Sequence, residues 1–258
     1  MLLLRILLML SSLYFAACVE AAAADTFSIN YADKVTVPEG SEIIILSPYA
    51  EVQGDKSRAY AYISLTELSR NSPLISQLPK EIVVSENTAW SSYLVHIDHQ
   101  DWSVIIEKEL KWILEQGYQH VFIDTMDGVE TLCQKKPDKC ESYRDSARML
   151  IQRIRTRISG NLIINRGFLI YPDVEKMVRG VLIESFFYGK KKDRYERRPD
   201  EEMEWLKTWV GRLKNDNKLV LAVDYAENLD AAEKTELQKK AHQMGIMWRL
   251  DHESLQYN

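Results

Sequence analysis

Cysteine is scarce in this sequence, with only Cys18, Cys133 and Cys140 among 258 residues. The five histidines show no zinc-ligand spacing with these cysteines, so we expect no metal site. A Gly-rich phosphate loop and a nucleophile elbow are also missing, and we expect no cofactor. An excess of positive charge is lacking, because the net charge is −5 and basic residues alternate with acidic ones. We therefore expect no nucleic-acid partner.

One long apolar run is present at the N-terminus, where Leu2–Ala17 carries Arg5 and is followed by Ala21–Ala24. The run is shorter than the ~20 residues that a membrane-spanning helix needs. It predicts a signal peptide over residues 1–24 and an exported, periplasmic or extracellular protein with no stable membrane span after its removal. Phe15–Cys18 resembles a lipobox with Phe in place of Leu, which leaves a lipoprotein anchored at Cys18 as the alternative.

The two remaining cysteines, Cys133 and Cys140, stand seven positions apart in a polar segment. In an oxidising compartment such a pair can close a small loop by a disulfide, with a modest gain in stability. We regard this disulfide as possible from sequence alone.

Residues 25–258 alternate short apolar segments with longer amphipathic ones. Eight segments have the length and composition of buried strands: Glu42–Leu46, Ala59–Ile63, Tyr93–Ile97, His120–Asp124, Asn161–Asn165, Gly180–Glu184, Lys218–Asp224 and Gly245–Arg249. Four segments have helical spacing: Trp102–Gln116, Cys140–Ser159, Met203–Leu213 and Ala231–Met244. This order fits an open doubly wound sheet or a closed barrel. Without a phosphate loop, a single-domain (β/α)8 TIM barrel of the α/β class is favoured.

Carboxylates end two of the predicted strands. Val121–Ile123 leads directly into Asp124, and Val181–Ile183 leads directly into Glu184. Strand ends are where α/β barrels place their catalytic residues. Two carboxylates that flank a bond, one as acid and one as nucleophile or base, are the usual equipment for cleaving a glycosidic bond. We therefore interpret Asp124 and Glu184 as the catalytic pair.

Other polar and aromatic residues near strand ends are candidates for substrate binding. Asp127 and Asp224 follow apolar segments, although each could instead cap the turn that comes after it. Glu67 could bind a hydroxyl or amine group, or could lie in a solvated loop. Tyr49, Tyr188 and Tyr225 could stack on sugar rings, and packing in the core is an equally good interpretation of each.

Six segments, in this order, resemble motifs of one known family: Tyr60–Glu67, Asp98–Trp102, Gly117–Asp127, Asn165, Gly180–Tyr188 and Val223–Tyr225. The family is glycoside hydrolase family 114, the endo-α-1,4-polygalactosaminidase-like proteins, related to the hydrolase domain of the Pel exopolysaccharide machinery. The resemblance implies a (β/α)8 barrel that cleaves α-1,4 linkages in galactosamine-containing polysaccharide. It also implies that Asp124 and Glu184 are catalytic. Asn165 matches the family's Asn after the fifth strand, and we expect it to contact substrate. We expect a monomer.

Two alternatives stay open at this point. A catalytically silent carbohydrate-binding barrel for polysaccharide export or assembly would share the same fold and aromatic residues. A deacetylase would need a set of metal ligands that this sequence lacks. Retention or inversion at the anomeric carbon depends on the separation of the two carboxyl groups, which the sequence leaves undetermined.

Overall fold

The computed structural model describes residues 27–37, 43–192, 194–226 and 229–256. The predicted signal peptide, residues 1–24, and Cys18 lie outside the described residues. Within the described part of the chain, no helix is long and apolar enough to cross a membrane.

Eight parallel strands form one sheet in which each strand pairs with the next barrel strand along the chain. The strands are β1 Phe27–Asn30, β2 Ile43–Leu46, β3 Tyr60–Ser64, β4 His120–Asp124, β5 Leu162–Asn165, β6 Gly180–Glu184, β7 Leu219–Asp224 and β8 Met247–Leu250. The two edge strands meet through Arg249, whose Nη1 donates to the carbonyl oxygen of Phe27 at 2.8 Å. The predicted TIM barrel is confirmed.

Helices connect the barrel strands from β3 onward. They are α1 Gln100–Glu115, α2 Gly128–Lys135, α3 Cys140–Arg157, α4 Tyr171–Val174, α5 Asp200–Asn215 and α6 Ala231–Gln243. Helix α1 buries Ile106, Leu110 and Ile113, whose spacing places them on one face of a helix. Helix α6 begins with a capping box in which the Asp230 carboxylate accepts from the backbone N–H of Glu233 at 2.8 Å.

Two insertions stand at the carboxyl ends of barrel strands. After β3, Glu67–Ser69, Val83–Asn87 and Ser92–Val95 form a three-stranded antiparallel sheet. After β6, Tyr188–Lys191 and Arg194–Arg197 form a hairpin. Barrels place functional insertions at this end, because the loops there surround the active site.

Two of the strand predictions were wrong in detail. Tyr93–Ile97 was expected in the barrel, but the strand is Ser92–Val95 and belongs to the antiparallel insertion sheet. The first barrel strand, Phe27–Asn30, was missed. It is only four residues long and contains two polar residues, so it lacks the apolar run that marks the other strands.

Side chains alternate between two apolar layers along the barrel strands. One cluster fills the barrel interior: Phe27, Ile29, Ile43, Ile45, Tyr60, Phe122, Ile163, Leu182, Leu221 and Val223. The residues between them, such as Ile44, Val121 and Ile183, belong to a larger cluster that packs against the helices. This alternation decides which polar residue at a strand end faces the axis of the barrel.

Candidate active site

Two residues beyond the last inward-facing apolar residue of several barrel strands, the inward-facing side chain is polar. These polar side chains form a cluster at the mouth of the barrel. Phe122 is followed on the same face by Asp124, Ile163 by Asn165, and Leu182 by Glu184. Three tyrosines also stand two positions after inward-facing residues of other strands: Tyr31, Tyr62 and Tyr225. The structure thus brings together four of the residues predicted from sequence: Asp124, Asn165, Glu184 and Tyr225.

A residue in the left-handed region follows each of the three central polar residues. Thr125, Arg166 and Ser185 have φ values of 57°, 53° and 54°. None of them is glycine, so each position is conformationally costly, and such positions concentrate at functional sites. The repeated bend turns the chain away from the barrel directly after Asp124, Asn165 and Glu184.

Asp124 is held by several hydrogen-bond donors. Its Oδ1 accepts from the backbone N–H of Thr125 and from Nδ2 of Asn165, each at 2.7 Å. The Tyr62 hydroxyl is a further partner. Burial raises the pKa of Asp124, whereas these three donors act in the opposite direction because they stabilise the carboxylate. Asp124 therefore has support for carrying a negative charge.

Glu184 has less support for its charged form. Burial, and next the negative charge of Asp124, raise its pKa to about 8. The Tyr225 hydroxyl and the Arg166 guanidinium act in the opposite direction. The surroundings of this pair therefore favour protonation of Glu184 over protonation of Asp124.

Three tyrosines surround the two carboxyl groups. Burial is the main cause that raises the pKa values of Tyr31, Tyr62 and Tyr225, so their hydroxyl groups stay protonated. The negative charge of Asp124 adds to the shift at all three, and that of Glu184 adds to it at Tyr31 and Tyr225. The rings of Tyr31 and Tyr62 meet edge to face with centroids 5.3 Å apart. Sequence reasoning missed Tyr31 because β1 was not recognised. It could have found Tyr62, since Tyr60 and Tyr62 share one face of β3.

A network beneath Asp124 fixes its position. The Thr125 hydroxyl lies 2.7 Å from the Ser64 hydroxyl and accepts from the backbone N–H of Thr66 at 3.1 Å. The Thr66 hydroxyl donates to the carbonyl oxygen of Thr125 at 2.7 Å. A Cβ atom on Gly128 would lie 2.1 Å from Thr66 Oγ1, so only glycine fits here. The start of α2 is thereby packed directly against this network.

Asp127 and Glu67 lie at the rim of the site. Asp127 precedes α2, is exposed, and makes no side-chain capping bond. Its negative charge raises the pKa values of Asp124 and Glu184, which places it beside the cleft. The Glu67 carboxylate accepts from Asn87 Nδ2 at 3.1 Å and from the Ser92 hydroxyl, so it is tied to the insertion sheet.

Asp224 was expected to contact substrate, and the structure corrects that expectation. It lies on the opposite face of β7 from Tyr225 and is fully buried. Its oxygens accept from the backbone N–H groups of Phe187 and Tyr188, both at 2.9 Å, and from Trp248 Nε1 at 2.6 Å. Asp224 therefore anchors the backbone that follows Glu184 and the beginning of the hairpin.

Two of the predicted aromatic contacts also lie apart from the carboxylates. Tyr49 packs on α1, where its hydroxyl donates to Glu109 at 3.1 Å and its ring stacks on Trp112. Burial raises the pKa of Tyr188, and the negative charges of Glu233 and Glu236 of α6 add to this shift, so its side chain lies near α6. From the hairpin, Tyr195 instead approaches the site: its ring is 5.6 Å from that of Tyr225, and Glu184 contributes to raising its pKa.

Cys133 and Cys140 form a disulfide that joins the end of α2 to the start of α3. Among the described residues, no group of three His, Cys, Asp or Glu side chains is arranged to hold a metal ion.

A family model described as glycoside-hydrolase family GH114 matches residues 16–258. Among solved structures, the chain is similar to the glycoside hydrolase domain of PelA from Pseudomonas aeruginosa, with a TM-score of 0.68, 20% identity, and coverage of 89% of this chain and 96% of that chain. It is also similar to Aspergillus fumigatus Ega3, solved in complex with galactosamine, with a TM-score of 0.68, 12% identity, and coverage of 90% and 93%. At these identities, the likeness establishes the fold.

Two curated relatives are more similar in sequence. An uncharacterized protein of Methanocaldococcus jannaschii is 27% identical over 161 residues, which cover 58% of this chain and 45% of the relative. An uncharacterized protein of Thermotoga maritima is 25% identical over 207 residues, which cover 74% of this chain and 60% of the relative. The chain thus spans roughly half the length of the curated relatives that it matches.

Proposed function

The chain belongs to glycoside-hydrolase family GH114, and on that premise we propose that it hydrolyses α-1,4 linkages within galactosamine-containing polysaccharide. Asp124 and Glu184 form the catalytic pair in this proposal. The family assignment supports glycosidic cleavage, and galactosamine bound to the similar fold of Ega3 supports the substrate class. The observation that carries the proposal is the pair itself: two interior carboxyl groups at the ends of β4 and β6, with unequal support for their charges.

The roles of the two groups follow from that inequality. Glu184, with its pKa raised to about 8, is protonated at neutral pH and acts as the general acid on the glycosidic oxygen. Asp124, stabilised by Thr125, Asn165 and Tyr62, stays ionised and acts at the anomeric carbon.

The proton of Glu184 passes to the leaving oxygen as the glycosidic bond breaks, and Asp124 either bonds to the anomeric carbon or takes a proton from the water that does so. In the first route, Glu184 as carboxylate later activates the water that releases the sugar. NMR of the freshly formed reducing end distinguishes the routes, because the first retains and the second inverts the anomeric configuration.

Surrounding residues supply substrate contacts in this proposal. Asn165 Oδ1 is buried and has no hydrogen-bond partner among the described residues, so it can accept from a sugar hydroxyl or amine. Tyr31, Tyr62 and Tyr225 offer protonated hydroxyl groups and ring faces. The negative charges of Asp124 and Asp127 favour the ammonium group of a deacetylated galactosamine unit. Glu67 remains a predicted contact at the rim.

Export is part of the proposal. The predicted signal peptide over residues 1–24 supports it, and so does the Cys133–Cys140 disulfide, because disulfides persist in oxidising compartments. A polysaccharide substrate outside the cell would then meet the enzyme directly.

Incubation of the mature protein with galactosamine-rich polysaccharide tests the function. We expect shortened oligomers from the wild type, and none from Asp124→Asn or Glu184→Gln when circular dichroism shows both variants folded. Asp173→Asn, which removes a surface carboxylate paired with Arg144, serves as the matched control and should cleave normally. Tight binding by the wild type without any cleavage would instead favour the carbohydrate-binding barrel.

A further inference from the structure

Four aromatic side chains form a cluster on the outer wall of the barrel, and we call them the Trp205 cluster: Phe168, Tyr171, Trp205 and Trp209. Phe168 stacks on Trp209 with ring centroids 4.7 Å apart. Trp205 meets Phe168 at 5.1 Å and 87°, and Trp209 at 6.4 Å and 73°. The guanidinium of Arg212 lies 5.2 Å from the Trp209 ring. Trp205 is thus held by edge-to-face contacts and is not stacked on either neighbour.

Trp205 is exposed although its neighbours are covered. Its exposed fraction is 48%, whereas that of Phe168 is 6%. A large apolar ring that packing already holds in place loses little conformational entropy when it binds a ligand. Its exposed face offers a flat surface to the C–H face of a sugar. The ring is therefore prepared to stack on a saccharide unit.

Acidic residues surround Trp205 on α5. The segment from Arg198 to Lys207 contains four acidic residues, at positions 200, 201, 202 and 204, against two basic ones. Glu201 lies one helical turn before Trp205, on the same side of the helix. Glu202 pairs with Arg198, and Glu204 pairs with Lys207. Glu201 has no ion-pair partner among the described residues, so its carboxylate is available beside Trp205 to a sugar that carries a free amine.

The cluster is continuous with the candidate active site. Arg166 directly follows Asn165, and its positive charge lowers the pKa of Glu184. The same guanidinium lies 6.0 Å from the ring of Phe168, which supports Trp205. Arg166 therefore interacts both with the candidate active site and with the Trp205 cluster, which puts the two in reach of one long polymer.

We propose that Trp205 is a second saccharide-binding site, outside the catalytic cleft, which stacks on aminosugar units of the polymer that the cleft cleaves. This inference rests on the proposed function, because it assigns the same substrate to both sites. It predicts that long chains bind more tightly than short ones through contact with α5.

Binding of long and short substrates to the inactive Glu184→Gln protein tests the inference. Trp205→Leu, which keeps an apolar side chain but removes the ring, should weaken binding of deacetylated galactosamine polymer by about three- to tenfold. Binding of a disaccharide should change much less, since the cleft alone holds it. Trp112→Leu removes an equally exposed tryptophan from α1 and should leave binding of the polymer unchanged.

Glu201→Gln is a second variant that leaves the aromatic packing intact. It should weaken binding of the deacetylated polymer at low salt and have little effect on a fully acetylated polymer, because only the former carries ammonium groups. Polymer affinity in Trp205→Leu and Glu201→Gln equal to that of Trp112→Leu, together with normal cleavage by the wild type, would overturn the second site and leave the function standing. Absence of cleavage by the wild type would overturn both.

Discussion

Asp124 and Glu184 carry the same functional group in different surroundings. Three donors stabilise the Asp124 carboxylate: Thr125, Asn165 and Tyr62. Tyr225 and Arg166 lower the pKa of Glu184, but burial raises it by more. Both groups are buried at the same end of the barrel, so the negative charge of Asp124 raises the proton affinity of Glu184. In the proposed mechanism, the neighbouring residues therefore decide which of the two carboxyl groups is the acid.

The first prediction concerns the pH dependence of cleavage. Because the proposed mechanism needs a protonated Glu184 and the pKa of Glu184 in the free protein is about 8, kcat/KM on polymer should fall as the pH rises through that value. Asp127→Asn removes a negative charge that raises the pKa of Glu184, so the decline should begin at lower pH. Rate profiles of both proteins between pH 5 and about 9.5 measure this. An alkaline limb that stays in place in Asp127→Asn would contradict the electrostatic account.

The second prediction concerns stability. The pKa of Glu184 is raised in the folded protein, so between its unfolded value and about 8 the folded state binds the extra proton. The contribution of Glu184 to the free energy of unfolding therefore decreases across this interval as pH rises. Glu184→Gln has no such group, so its melting temperature should exceed that of the wild type by an amount that grows up to about pH 8. Melting curves of both proteins at several pH values measure the difference; a difference independent of pH would argue against a protonated Glu184.

At the scale of the elements, the junction between β4 and α2 positions Asp124. Thr125 is in the left-handed region, and its hydroxyl and carbonyl groups bond to Ser64 and Thr66 at the end of β3. Gly128 lets α2 begin in contact with Thr66. The disulfide between Cys133 and Cys140 then joins the far end of α2 to α3.

The third prediction tests this junction. Gly128→Ala places a methyl group 2.1 Å from Thr66 Oγ1, and we expect the free energy of unfolding to fall by about 1–3 kcal/mol, with reduced kcat. Gly211→Ala is the control, because a Cβ atom there meets nothing within 4 Å and alanine is the better helix former in α5. That variant should be more stable by up to about 1 kcal/mol. Urea denaturation compares the two; equal effects would mean that the Thr66 contact is unimportant.

The alternation of inward- and outward-facing side chains along the strands also explains which site residues could be predicted from the sequence. Asp124, Asn165 and Glu184 directly follow apolar runs, so the strand and its polar end were both visible in the sequence. Asp224 follows an equally apolar run but lies on the outer face of β7, and the run alone does not reveal which face its last residue occupies. Tyr31 was out of reach because β1 has only four residues, two of them polar.

In the whole molecule, the nearly closed barrel makes a single site from residues far apart in sequence. Tyr31 at the end of β1 and Tyr225 at the end of β7 are 194 positions apart, yet both respond to the charges of Asp124 and Glu184. The barrel itself was predictable from the alternation of strands and helices. The antiparallel sheet after β3 was not, because Tyr93–Ile97 is as apolar as a barrel strand, and its pairing depends on contacts with residues 67–69 and 83–87.

In the proposed mechanism, Glu184 is the acid and Asp124 acts at the anomeric carbon. An oligomer of α-1,4-linked galactosamine with an aryl leaving group tests it most directly, since such a group departs without protonation. In a single turnover, Glu184→Gln should release the aryl group at nearly the wild-type rate, while losing at least about 100-fold on the natural polymer. Asp124→Asn should lose activity on both substrates. Restored cleavage of the aryl oligomer by Asp124→Asn, with none by Glu184→Gln, would contradict the assignment.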